Sequence, residues 1–178
     1  MRTWSRFCCA EAHFDPSFYV SSGETITPYD RLQQLRLELP NPPTPLANYV
    51  PFVIANGFLY LSGQGPRRPD GSSFTGKVGA GVSLDDAYQH ARLTGLNLLA
   101  VAHLALGNLA RVQRVVKLLG MVNATPGFGD HPKVINGCSD LFVAVFGDAG
   151  KHARSAVGMG SLPGNISVEI EAIFQIGD

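Results

Sequence analysis

No sign of charge dominates this chain. Fourteen basic residues face fourteen acidic ones, and the formal net charge is zero. A protein that holds nucleic acid or an anionic membrane through phosphate contacts carries a basic excess, so neither partner is expected. Arg111, Arg114 and Lys117 stand near one another, a grouping that solvated element edges explain. Cysteine is scarce: Cys8, Cys9 and Cys138 are an odd set that makes no disulfide framework and suits a reducing compartment. Long apolar runs are missing as well. LLAVAHLALG is short and interrupted by His103, so no membrane span is expected. The amino-terminal stretch lacks the features of a secretory leader, and Glu11 and Asp15 argue against an organellar one despite Arg2 and Arg6. The expectation is a cytoplasmic protein, with an organelle as the alternative. The five histidines never fall at metal-ligand spacing, so no metal is expected. GSSFTGKV, residues 71–78, comes close to a phosphate-binding loop. It has Val78 where that chemistry needs a Ser or Thr hydroxyl on magnesium, and no buried strand leads into it.

What is present is the composition of an ordinary globular chain, 45% hydrophobic and 16% charged over 178 residues. Residues 1–23 show no sustained periodicity and are expected to form a disordered extension, leaving 24–178 as a single domain. TPYDRLQQLRLEL reads as a short helix capped by Thr27 with Pro28 at its first position, and the proline-rich PNPPTPL follows. YVPFVIANGFLYLSGQ reads as a hairpin turning at Asn56-Gly57. After a glycine-rich loop over 65–82, Ser83 and Asp86 mark the start of a long helix that Gly107 ends. RVQRVVKLLGMVNA is strand-like. Residues 131–146 form a second helix with Val134, Cys138, Leu141, Phe142 and Val145 on one face, where Cys138 is a small buried residue rather than a nucleophile. Strands over about 153–160 and 166–176 close the chain. That order predicts a mixed sheet covered by helices on one face.

The last strand sets the functional question. Ile166, Val168, Ile170, Ala172, Phe174 and Ile176 make one apolar face, whereas Ser167, Glu169, Glu171, Ile173 and Gln175 make the other. If the last two strands pair as a hairpin through LPGN with apolar faces matched, Arg154 shares a face with both glutamates. Two readings remain open for such a face. One is a solvated surface with a weak ion pair. The other takes the small residues Ala156, Gly158 and Gly160 as room left for a ligand or for another subunit.

HARSAVGMGSLPGNISVEIEAI, residues 152–173, resembles the signature of the reactive intermediate deaminase family (RidA, also called YjgF), with an Arg-Ser pair, then Leu-Pro, then Val-Glu-Ile-Glu-Ala-Ile. YVPFVIANGFLYLSGQGP resembles the opening hairpin of that family, ending in Ser-Gly-Gln before Pro. ARLTGLNLLAVAHLALGNLARVQRVVKL resembles its first long helix and following strand, and Asn136 in VIN falls at its second-helix asparagine. The resemblance covers about residues 46–176. It implies an α/β (α+β), chorismate-mutase-like fold, a six-stranded mixed sheet with two helices packed on one face. It also implies a homotrimer with ligand clefts between subunits, and a cofactor-free hydrolysis of enamine or imine acids such as 2-aminoacrylate and 2-iminobutanoate to 2-oxo acids and ammonia.

Carried over on matching positions, the resemblance makes Arg154 the clamp for the substrate carboxylate. A guanidinium suits that task through two parallel hydrogen bonds. Glu169 becomes the residue that positions and activates water, and Glu171 a supporting acid. Tyr49, Ser62, Gly63 and Asn136 fall among the residues that line the cleft. Ala156 departs from the family, many of whose members have cysteine there, and the loops at 65–82 and 123–134 are longer than in its short members. Substrate identity is left open by these departures. The rival functions are a non-catalytic trimer that binds a small carboxylate for sensing, and a ribonuclease, which zero net charge and the lack of a histidine pair disfavour.

Overall fold

The computed structural model describes residues 26–42 and 48–177. The extension expected over residues 1–23 lies outside the described residues. The first helix, α1 (Pro28–Gln34), starts as its sequence dictates. Thr27 Oγ1 accepts from the Asp30 amide at 3.2 Å, and the Asp30 carboxylate accepts from the Thr27 amide at 2.8 Å. Strands β1 (Phe52–Ala55) and β2 (Phe58–Gln64) form the expected hairpin. Its two-residue turn puts Asn56 at φ 51° and Gly57 at φ 77°, the left-handed pair that matches strand twist. Next come a two-residue ribbon, β3 (Lys77–Val78) with β4 (Gly81–Val82), and the long helix α2 (Leu84–Leu106), capped by Ser83 and ended at Gly107. Strand β5 (Val112–Asn123), helix α3 (His131–Phe146), and strands β6 (Ala153–Met159) and β7 (Val168–Ile176) complete the order.

The main sheet runs β1-β2-β7-β5-β6. It has five strands where the resemblance implied six. Left-handed glycines at 76, 79 and 81 hold the β3–β4 ribbon to two residues per strand, and its backbone bridge from Val78 reaches Ala124, just past the end of β5. The expected hairpin of the last two strands does not exist. β6 pairs with β5 in parallel, and β7 pairs antiparallel with β5 on its other side and with β2. The reason is the helix between β5 and β6. A strand–helix–strand unit returns its second strand parallel to the first, and here α3 makes that crossover. β7, with buried Val168, Ile170, Ala172 and Phe174, then takes the central position, whereas β6, rich in small residues, is left at the edge.

Both helices α2 and α3 cover one face, burying Leu98, Leu99, Val134, Ile135, Phe142, Leu118, Ile170 and Phe174 completely. Close approach depends on missing side chains. Gly120 of β5 admits Ile135, whose Cγ1 lies 2.5 Å from where a Cβ would stand, and Gly137 of α3 rests against the Tyr88 carbonyl of α2. The opposite face of the sheet is uncovered, and Tyr60, Val53, Val157 and Met159 are exposed on it. Among the described residues, no helix is long and apolar enough to cross a membrane.

These contacts predict that Gly137→Ala destabilises the fold by about 2–3 kcal/mol, because the new methyl meets backbone that cannot rotate away. Gly129→Ala, with open space around it, shifts stability by less than about 0.5 kcal/mol. Urea denaturation of the two variants checks the contrast.

Candidate functional site

Two polar groups stand out, and they are built from different elements. The first centres on Arg154. It pairs across the ladder with Leu118, whose side chain is in the core, so Arg154 lies on the helix-covered side of edge strand β6. There its Nη1 donates to Asn136 Oδ1 at 2.8 Å and to Ser139 Oγ at 2.9 Å, two acceptors three residues apart on α3. Both protons of Nη1 are thereby committed. Nε and Nη2 have no partner among the described residues, and together they form the outer edge of the guanidinium, the edge that grips a carboxylate through two parallel bonds.

The second group centres on Glu169. It pairs with Met121, one register step from Gly120, and so points away from the helices onto the uncovered face. Its carboxyl is half-buried against Gly63, where a Cβ would collide with Oε1. A glycine at 63 is therefore what leaves space for this acid. Beside it, Ser62 donates its hydroxyl to the Val50 carbonyl at 2.7 Å and its amide to the Pro51 carbonyl at 3.0 Å. That anchor fixes the approach to β1, and Tyr49, 53% exposed, immediately precedes it. Burial, and then the like charge of Glu171, push the Glu169 carboxyl above the ordinary carboxylate range.

Arg154 and the glutamates do not share a face, which corrects the hairpin-based expectation. Glu169 stands on β7 and Arg154 on β6 with β5 between them, about 10 Å apart across the strands and three residues apart in register along them, and their side chains leave from opposite sides. The residues carried over from the sequence thus fall into two separate groups, Asn136 with Arg154, and Ser62 and Gly63 beside Glu169, while Tyr49 adjoins the segment that Ser62 anchors. Sequence reasoning missed Ser139. Its signal was the i, i+3 spacing from Asn136, which places both on one edge of the helix.

The remaining candidates are structural. Cys138 is fully buried, and burial pushes its thiol far up. Lys77 of the near phosphate loop donates to Asn123 Oδ1 at 2.8 Å and the Gly160 carbonyl at 2.6 Å, tying loops together. Among the described residues, no three histidines, cysteines or acids are placed to hold a metal ion.

The raised Glu169 carboxyl sets a sign for stability. The folded state holds that proton more tightly than the unfolded chain, so its contribution is complete below the unfolded value of 4.5 and is lost as pH rises through the folded value. Glu169→Gln removes the half-buried charge. It is expected to raise stability at pH 7 while changing it little at pH 4, as read from urea midpoints at the two pH values.

Comparison with known proteins identifies the family. The family described as "YjgF/chorismate_mutase-like, putative endoribonuclease" matches residues 29–173. Protein TCP17 of Trypanosoma cruzi is 40% identical over 160 residues, covering 89% of this chain and 98% of that protein. The crystal structure of Atu1372 from Agrobacterium tumefaciens, a protein of unknown function, superposes with a TM-score of 0.78 at 45% identity, over 85% of this chain and 94% of that one. RidA from an Antarctic Psychrobacter species superposes with a TM-score of 0.54 at 25% identity, over 76% and 94% of the two chains. The chain belongs to the YjgF/RidA family, with its chorismate-mutase-like fold.

Proposed function

We propose that this protein hydrolyses small imine acids to 2-oxo acids and ammonia, in clefts that two neighbouring copies of the chain complete. The observation that carries the reading is the separation of the half-sites. The free edge of Arg154 and the carboxyl of Glu169 lie on opposite faces of one sheet, so a ligand of a few atoms reaches both only if they come from different copies. The uncovered face supplies the surface for such copies: Tyr60, Val53, Val157 and Met159 are more than one-third exposed on it, around Glu169 and Glu171. A cyclic trimer, in which the β6 edge of each subunit meets the Glu169 face of the next, yields three identical sites.

Within such a site, the Nε and Nη2 edge of Arg154 holds the substrate carboxylate. That places the adjacent imine carbon beside Glu169 of the neighbour. Glu169 accepts a proton from water as the water oxygen bonds to the imine carbon. Glu169 passes that proton on to the imine nitrogen, giving a carbinolamine, and then carries the new hydroxyl proton to the same nitrogen, which leaves the carboxylate free again. Collapse of the carbinolamine forms the carbonyl, breaks the carbon–nitrogen bond and releases ammonia. A carboxyl raised by burial is a stronger base than an ordinary one, which suits the proton it must accept. Free imines hydrolyse readily, so holding water and substrate together supplies most of what is needed.

The substitution of Ala156 for the cysteine of many members favours a second reading, a trimer that binds a 2-oxo acid and senses it without turnover. Ribonuclease chemistry finds no support in a chain of zero net charge.

The test is ammonia release from 2-iminobutanoate generated by a threonine dehydratase. Glu169→Gln is expected to lower kcat by about 10²-fold or more, and Arg154→Ala to raise KM by about tenfold or more. Subunit mixing then tests the cleft. When Arg154→Ala and Glu169→Gln proteins are unfolded together and reassembled, random trimers carry about a quarter of their sites with both residues intact, and activity returns to that level. A site within one chain gives no recovery. Binding of 2-oxobutanoate without any acceleration of release would establish the sensing reading instead.

A further inference from the structure

The Arg154 half-site continues past its two acceptors. Ser139 Oγ, which accepts from Arg154 at 2.9 Å, also lies 3.0 Å from His152 Nε2. His152 Nδ1 lies 2.6 Å from the Gly150 carbonyl. A carbonyl oxygen only accepts, so Nδ1 carries the proton and donates to Gly150. In the neutral ring Nε2 is then the acceptor, and the Ser139 hydroxyl donates to it. With its proton spent on His152, Ser139 offers its lone pairs to Arg154. The direction of every bond in this chain is set at its far end by a backbone carbonyl.

We propose that His152 is a positioning residue: through Ser139 it fixes the Arg154 guanidinium so that the Nε and Nη2 edge stays free for a substrate carboxylate, and its protonation releases that clamp. Protonated His152 bears a hydrogen on Nε2. Ser139 then accepts from the imidazolium, its own proton loses its acceptor, and a second positive charge stands one hydroxyl away from the guanidinium. Both effects loosen Arg154. This inference rests on the imine-acid reading for the identity of the ligand, though the hydrogen-bond chain stands without it.

The surroundings of His152 favour its neutral form. Phe142 of α3 packs edge-on to the ring, with centroids 6.3 Å apart. Burial lowers its proton affinity, as does Arg154, while the Gly150 carbonyl acts the other way. Of the other charged groups nearby, Lys151 and Asp148 pair with each other at 2.7 Å in the preceding turn, and Lys117 of β5 donates to Ser155 on the opposite face. Cys138 of α3 is held as a neutral thiol by burial. None of these supplies an anion to stabilise the imidazolium. Because the ring resists protonation, the clamp is intact at neutral pH and is lost as pH falls below the ordinary histidine value of 6.5.

The experiment follows 2-oxobutanoate binding by calorimetry from pH 5.5 to 8, where the ligand carboxylate stays ionised, alongside nitrogen-15 spectra of the histidine rings. Ser139→Ala is expected to weaken binding about tenfold at pH 8, and His152→Phe by a similar factor. His152→Gln, whose amide oxygen accepts but does not titrate, restores most of the affinity lost in His152→Phe. It also flattens the fall in affinity that the wild type shows at low pH. Burial also raises the Glu169 carboxyl, and whatever share of the pH dependence it contributes persists in His152→Gln, which separates the two. A wild-type pH profile in His152→Gln, or unchanged affinity in Ser139→Ala, would overturn the proposal. If the wild type binds no 2-oxobutanoate at any pH, the imine-acid reading fails and the spectra decide alone. A neutral ring protonated at Nδ1, with faster Arg154 Nε–H exchange in Ser139→Ala and His152→Phe, supports the positioning role. A ring protonated at Nε2 rules it out.

Discussion

The depth at which α3 sits on the sheet governs the rest of this molecule, and Gly120 sets that depth. Any side chain at 120 would meet the branched end of Ile135. Without one, Ile135 sinks onto β5 until it is fully buried, and Asn136 and Ser139 on the same helix come within hydrogen-bond reach of Arg154 on β6. On the other side, Gly137 lets α3 approach the backbone of α2 at Tyr88. The position of a guanidinium at the sheet edge is thus decided by missing methyl groups in the core. Packing at protein-interior density transmits such constraints because there is little free volume to absorb a shift.

The two sides of the sheet carry different electrostatics. On the helix side, Arg154 is surrounded by neutral acceptors, Asn136 and Ser139, which orient it without cancelling its charge. On the uncovered side, Glu169 and Glu171 stand two residues apart on a strand, with no ion pair to either among the described residues. Each half therefore keeps its charge available for something outside the chain. An acid that has no cation, a cation that has no acid and an apolar surface that has no cover are three deficits, and the proposed cleft between copies answers all three. Like charges on the acid face cost stability, and a folded chain keeps such groups where binding or catalysis uses them.

The sequence by itself determined the local elements and the residue types. Thr27 with Asp30, Asn56-Gly57, Ser83 and Gly107 are signals read within a few residues, since caps and tight turns depend on nearby backbone donors and φ angles. The alternation along 168–176 likewise marked which side of β7 is buried, and the motifs around Arg154, Glu169, Asn136 and Gly63 marked the candidate site residues. Only the tertiary structure decided where those residues stand relative to one another. Strand order is a long-range outcome: the α3 crossover makes β6 parallel to β5, and β7 then enters on the far side of β5, so Arg154 and Glu169 leave the sheet in opposite directions. His152 and Ser139 were invisible for the same reason. Thirteen residues apart in the chain, they meet only because the helix and the segment leading into the edge strand are brought together by packing.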